Sequence, residues 1–178
     1  YARAFEGRRS DIVMQLHFGA DYENGTYGWT RDLEKMKRNF EWELKVFQTD
    51  YTDVGYIHCI DDIDDYHMVM KSGIWDYIKG EKESGRINHL GFSSHSPEMA
   101  RRLLDTGMMD LFMFSINPAY DYAKGDYGLG SVEERAKLYR ECDMEGVGIA
   151  VMKPFGGGQL LNAGTSPFRR TLTKNQCI

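Results

Sequence analysis

The chain has little of what several protein classes require. Its 22 lysines and arginines are outnumbered by 27 aspartates and glutamates, for a formal net charge of -5. A phosphate-backbone binder carries a basic excess, so nucleic acid is not an expected partner. No apolar run reaches about 18 residues, and no charged-then-apolar leader opens the chain, so no membrane partner is expected and a cytoplasmic location is the reading. Cys59, Cys142 and Cys177 are far apart, odd in number and without C-x-x-C spacing. They read as reduced structural thiols, and no metal site is expected from them.

What is present suffices for a core. The 178 residues are 42% hydrophobic and 13% aromatic, enough for one domain spanning 1–178. The opening "YARAFEGRRS" lacks Met and reads as the end of a helix, and the chain stops at "LTKNQCI" without a tapering tail. A segment of something longer is expected.

The pattern alternates strands and helices. "IVMQLHF" at 12–18 is an apolar-rich strand closed by Gly19, followed by the polar loop "ADYENGTYGW". A helix capped by Thr30 carries Leu33, Met36, Phe40, Leu44 and Phe47 along one face. A strand over 52–58 leads into the acidic run "DDIDD", read as a solvated loop, and a single helix over 68–83 ends at Gly85. A strand over 88–93 precedes a helix introduced by Ser96, Pro97 and Glu98 and ended by Gly107. Next come a strand over 111–116 and the loop "NPAYDYAKGDYGLG". A helix opened by the capping box Ser131 to Glu134 and closed by Gly146, then a strand over 147–152, complete the pattern.

Strict alternation predicts a parallel α/β sheet, either doubly wound or a (β/α)8 TIM barrel. No G-x-G-x-x-G follows the first strand, whereas polar groups stand at the C-terminal end of every strand: His17, His58, Ser93 with Ser94, Asn117, and Lys153. A barrel builds its site from that rim, so the expected fold is a partial barrel.

The motifs "GRRSDIVMQLHFG", "TDYTDVGYIHCID", "GRINHLGFSSHS", "MFSINPAYD" and "GVGIAVMKPFGGGQLL" occur in the order of the aldo-keto reductase family, which the chain resembles across nearly its whole length. The wording is most similar to bacterial members with a C-terminal ferredoxin-like iron-sulfur extension. The resemblance implies barrel strands 3 to 7, with strands 1, 2 and 8 missing. It also implies NADP or NAD, hydride transfer to or from a small carbonyl or alcohol substrate or a redox partner, and a possible 4Fe-4S cluster outside this segment.

Carried over by position, His58 matches the catalytic histidine, and His17 stands where the family has lysine. The family's Asp and Tyr come from the two missing strands. Ser93 and Ser94 match the pair that holds the nicotinamide carboxamide, with Asn117 where the family often has Gln. Lys153, Pro154, Phe155, Gly156 and Gly157 match the loop over the pyrophosphate. Tyr27 with Gly28 is read as a loop coincidence, Tyr1 as part of the opening helix, and His95 as a residue leading into a helix. The segment is expected to be inactive alone. Two other readings stand beside this one: a barrel lyase forming a Schiff base at Lys153, and a non-catalytic cofactor-binding protein.

Overall fold

A computed structural model describes residues 2–119 and 129–177. Tyr1 and most of the predicted loop at 117–130 therefore lie outside the described residues. Five parallel strands form one sheet: β1 (Gln15–Phe18), β4 (Thr52–Ile57), β5 (Ile87–Ser93), β6 (Leu111–Ser115) and β7 (Gly148–Met152). Their spatial order is their sequence order. Each new strand joins the same advancing edge, with no reversal at which a doubly wound sheet would place its ligand crevice, so the sheet is the arc of a barrel.

The register sorts the two faces. Phe18, Ile57, Phe92, Phe112 and Ile149 pair across the sheet in one row. This row faces the helices: Phe18 meets Phe40 at 4.7 Å, and Phe92 stacks on Phe112 at 4.6 Å. The alternate row runs His17, Tyr56, Gly91, Leu111 and Gly148 on the opposite face. A Cβ at Gly91 would come within 2.6 Å of the Tyr56 ring, so glycine there lets that ring lie flat across the sheet. Tyr56 in turn stacks on His17 at 5.3 Å. Strand alternation thus puts an imidazole on the inner face beside a wholly buried aromatic.

The covering helices are α1 (Leu33–Phe47), α2 (Ile63–Lys71), α3 (Ile74–Glu83), α4 (Pro97–Leu104) and α5 (Val132–Glu145), with a short α6 (Lys174–Cys177) near the end. Met36, Phe40 and Leu44 are buried, as their spacing predicts. The capping box of Ser131 and Glu134 and the Ser96 cap with Pro97 at the first turn both form.

Four expectations are corrected. Asp32, not Thr30, caps α1, accepting from the Lys35 N–H, while the Thr30 hydroxyl accepts from the Asp32 N–H one step earlier. The single helix over 68–83 is two helices, because Gly73 sits at φ +85 and turns the backbone out of the helical region. The acidic run is no solvated loop: Asp62 caps α2 by accepting from the Asp65 N–H, and Asp64 and Asp65 fill its first turn, where the helix dipole favours acids. Finally, the opening segment is two 3-10 turns, Ala2–Ala4 and Arg9–Asp11, rather than a helix end.

Candidate active site

All five parallel strands end at one rim, and the longest connections gather there. The loop after β1 folds back as a small hairpin, β2 (Ala20–Asp21) with β3 (Gly28–Trp29), where a plain loop was predicted. Gly19, at φ +99, makes the turn possible, and a Cβ there would meet an Arg31 nitrogen at 2.9 Å. The hairpin carries Tyr27 back over the sheet.

There Tyr27 meets His58, which in turn meets His17. His17 Nδ1 and His58 Nδ1 are 3.3 Å apart, and the Tyr27 hydroxyl lies 2.9 Å from His58 Nε2. Tyr27, read as a loop coincidence, is thus set against His58: the hairpin reverses the chain, so a tyrosine after the strand still reaches its end. Burial, assisted by the neighbouring His58, lowers the His17 pKa to about 4. Burial also lowers His58, helped by the Arg31 charge and opposed by Asp61 and Asp65. Both rings are held in the neutral form.

Arg31 fixes this corner. Its Nε and Nη2 donate to the two Asp65 oxygens at 2.6 Å each, a bidentate pair with side chains only 7% and 12% exposed. The same Nη2 donates to the carbonyls of His58 and Cys59. Those bonds hold the turn in which Cys59 takes φ +41, a conformation that costs energy for any residue with a side chain.

On the far side of that turn lies a second cluster. Asp61 Oδ1 accepts from the His95 N–H at 2.5 Å and from the Ser94 hydroxyl at 3.2 Å, while Asp61 Oδ2 faces His95 Nδ1 at 2.8 Å. Burial pushes the Asp61 carboxyl up, but the His95 side-chain and backbone bonds outweigh it and hold the pKa at about 2. His95 Nε2 lies 3.4 Å from Lys153 Nζ. His95 does lead into α4, one residue before its Ser96 cap, and its ring also lies between Asp61 and Lys153. Cys59 Sγ also reaches Asp61 Oδ2 at 3.3 Å and His95 Nδ1 at 3.8 Å. These three donor atoms lie close enough to hold a metal ion. Against this, burial and then Asp61 raise the thiol to about 12, disfavouring the thiolate that would bind metal, and Lys153 sets an amine against the same imidazole.

The predicted cofactor residues divide between scaffold and surface. Ser93 is 4% exposed and Ser94 fully buried; the Ser93 hydroxyl accepts from the Cys59 N–H at 2.7 Å, and Ser94 bonds Asp61 and Ser96. Asn117 is buried, donating to the Lys153 carbonyl and accepting from the Ala119 N–H, which ties the β6 and β7 ends together. Lys153 and Pro154 lead into Phe155 and the turn Gly156–Leu161, where Gly157 and Gly158 take φ +65 and +92. A Cβ at either glycine would meet nothing within 4 Å, so this loop stands open to an approaching group.

A cleft of about 600 Å³ opens at this rim, lined in part by Trp29, Arg31, His58, Cys59, Asp61 and Met68. A larger hollow of about 790 Å³ lies at the opposite ends of the strands. Its charged groups include Arg86 and Glu41, which pair with each other, and no histidine or thiol lines it. The imidazole and thiol groups line the cleft at the rim instead. Sequence reading found His17, His58 and Lys153 there but missed Tyr27, Arg31, Asp61, Asp65 and His95. The available signal was density: five acids or imidazoles within 58–65 and a histidine between serines at a strand end.

Among the described residues, no helix is long and apolar enough to cross a membrane. No curated protein matches the sequence. Solved structures do resemble the fold. Aldo-keto reductase AKR11C1 from Bacillus halodurans, in its holo form, is 22% identical with a TM-score of 0.69, over 97% of this chain and 51% of that one. The glycerol dehydrogenase AKR11B4 from Gluconobacter oxydans is 16% identical with a TM-score of 0.58, over 98% and 49%. An aldo/keto reductase from Klebsiella pneumoniae, solved in complex with NADP and acetate, is 17% identical with a TM-score of 0.59, over 88% and 48%. The chain thus spans about half the length of these proteins. A family model described as the aldo/keto reductase family matches residues 1–176, and on that match the chain belongs to the aldo/keto reductase family.

Proposed function

We propose that residues 1–178 form one partial barrel domain of a nicotinamide-dependent oxidoreductase acting on a small carbonyl or alcohol substrate. The observation that carries this reading is the convergence of His17, His58 and Lys153 on one rim of a chain whose family match runs over residues 1–176. NADP is the favoured cofactor, because the Klebsiella relative was solved with it. The residues present fit such a group: Lys153 supplies a cation beside a glycine turn whose open Cβ positions leave its backbone approachable by anionic oxygen.

A bound nicotinamide would supply the hydride for carbonyl reduction, or in its oxidised form take it from an alcohol. The chain's own part is to hold the substrate oxygen and manage its proton. His58 orients that oxygen, and His17 occupies the family's lysine position. Since both imidazoles are neutral at pH 7, they accept a proton from an alcohol directly and give one to a carbonyl only after acquiring it. Asn117 shapes the cofactor side by fixing the Lys153 carbonyl. Ser93 and Ser94 back the carboxamide position through the turns they bond. We place the protein in the cytoplasm, with a 4Fe-4S cluster, if the whole protein carries one, outside residues 1–178.

Titration of the whole protein with NADPH and with NADH, followed by nicotinamide fluorescence, tests the reading. Saturable enhancement with either is expected; binding of neither overturns it.

A further inference from the structure

We propose that Asp61 and His95 are a positioning pair that holds Lys153 in place as the rim's anion anchor, for the phosphate or diphosphate group of a nucleotide. This rests on the cofactor reading above and adds two residues to it.

The argument is one of protons. Asp61 Oδ2 and His95 Nδ1 are 2.8 Å apart, and Asp61 is an ionised carboxylate, so Nδ1 carries the hydrogen and donates it. In the neutral ring that leaves Nε2 as the acceptor, and Lys153 Nζ stands 3.4 Å from it. The tautomer Asp61 selects is therefore the one that attracts the lysine; the other would turn an N–H against it. Asp61 is itself fixed, since its Oδ1 accepts from the His95 N–H and the Ser94 hydroxyl. The Lys153 backbone sits at φ +55, a conformation held by the Asn117 bond to its carbonyl. A flexible four-carbon side chain is thus anchored at both ends, beside the open turn of Gly157 and Gly158. An ammonium so held loses less freedom when an anion binds.

Asp61→Asn separates positioning from structure. The His95 N–H and the Ser94 hydroxyl keep the amide oxygen at the Oδ1 position. The amide NH2 then faces His95 Nδ1, makes it the acceptor and turns Nε2–H toward Lys153.

The whole protein and its Asp61→Asn, His95→Ala, Lys153→Ala and Lys153→Arg variants are titrated with NADPH and, separately, inorganic pyrophosphate. Nitrogen NMR of the imidazole reports the His95 tautomer. The expected result is Nδ1–H in the wild type and Nε2–H in Asp61→Asn. Affinity for both probes should fall about tenfold or more in Asp61→Asn, His95→Ala and Lys153→Ala, and recover in part in Lys153→Arg. The His95→Ala, Lys153→Ala double variant should lose no more than Lys153→Ala alone, because His95 acts through the lysine.

If both probes bind but His95→Ala and Asp61→Asn bind like wild type, the positioning role is wrong and the cofactor reading stands. Binding of pyrophosphate alone, with the expected variant losses, would keep the anchor and end the nicotinamide reading. If neither probe binds the wild type, both are wrong.

Discussion

His17 Nδ1 faces His58 Nδ1 at 3.3 Å, and the opposite edge of His58 receives the Tyr27 hydroxyl at 2.9 Å. One proton must lie between the two Nδ1 atoms, so the contacts are satisfied together when Tyr27 donates to His58 Nε2 and His58 Nδ1–H donates to His17.

Tyr27→Phe removes a donor that favours neutral His58. The His58 pKa, lowered in the folded protein, should then rise toward 6.5, with stability changing by only about 1 kcal/mol because the tyrosine is largely exposed. Proton NMR titration of the histidine rings reads this directly. An unmoved His58 titration would show that the hydroxyl does not engage the ring.

His17 sets an acid limit on stability. Its folded pKa of about 4 lies below the ordinary 6.5, so the unfolded chain takes up a proton that the folded one refuses. Stability is full above pH 6.5 and falls as the pH drops toward 4, by on the order of 3 kcal/mol from this ring. His17→Gln should lose less stability than wild type between pH 7 and pH 4.5 in urea unfolding. Parallel losses in the two proteins would contradict the burial-lowered pKa.

Glu43 acts in the opposite sense. Burial on α1 raises its pKa to about 7 from 4.5, so its contribution is present below pH 4.5 and disappears as the pH rises through 7. Glu43→Gln should therefore be more stable than wild type at pH 8, by up to about 3 kcal/mol, and nearly equal to it at pH 4.5. Thermal unfolding at the two pH values decides this.

The Arg31–Asp65 pair is buried, and its removal by halves should be costly. Arg31→Ala leaves a carboxylate in low dielectric and unties the His58 and Cys59 carbonyls, with an expected loss of about 3–5 kcal/mol. The Arg31→Leu, Asp65→Leu double variant should recover part of that, because neither charge is then stranded. Urea midpoints that put the double variant below Arg31→Ala would refute the stranded-charge account.

The sequence by itself determined the order of the five sheet strands and the rim they share. Strand length, β-branched and aromatic content and helix caps are local signals, so the strands ending at His17, His58, Ser93 and Lys153 were legible, as was the Ser131 capping box. Parallel connection then sends every strand's C-terminal end to one side, which is why His17, His58 and Lys153 could be assigned to a common edge from spacing alone.

Only the tertiary structure decided the partners. Arg31 finds Asp65 across 34 residues, Asp61 finds His95 across 34, and His95 finds Lys153 across 58. Nothing in a local window distinguishes an acid that caps α2, such as Asp62, from its neighbour Asp61 that orients an imidazole. The same holds for Tyr27, whose place over His58 depends on the Gly19 turn reversing the chain. Side-chain pairing over such separations is set by the packing of whole elements, and that geometry comes into being only when the strands align in one sheet and bring their ends together.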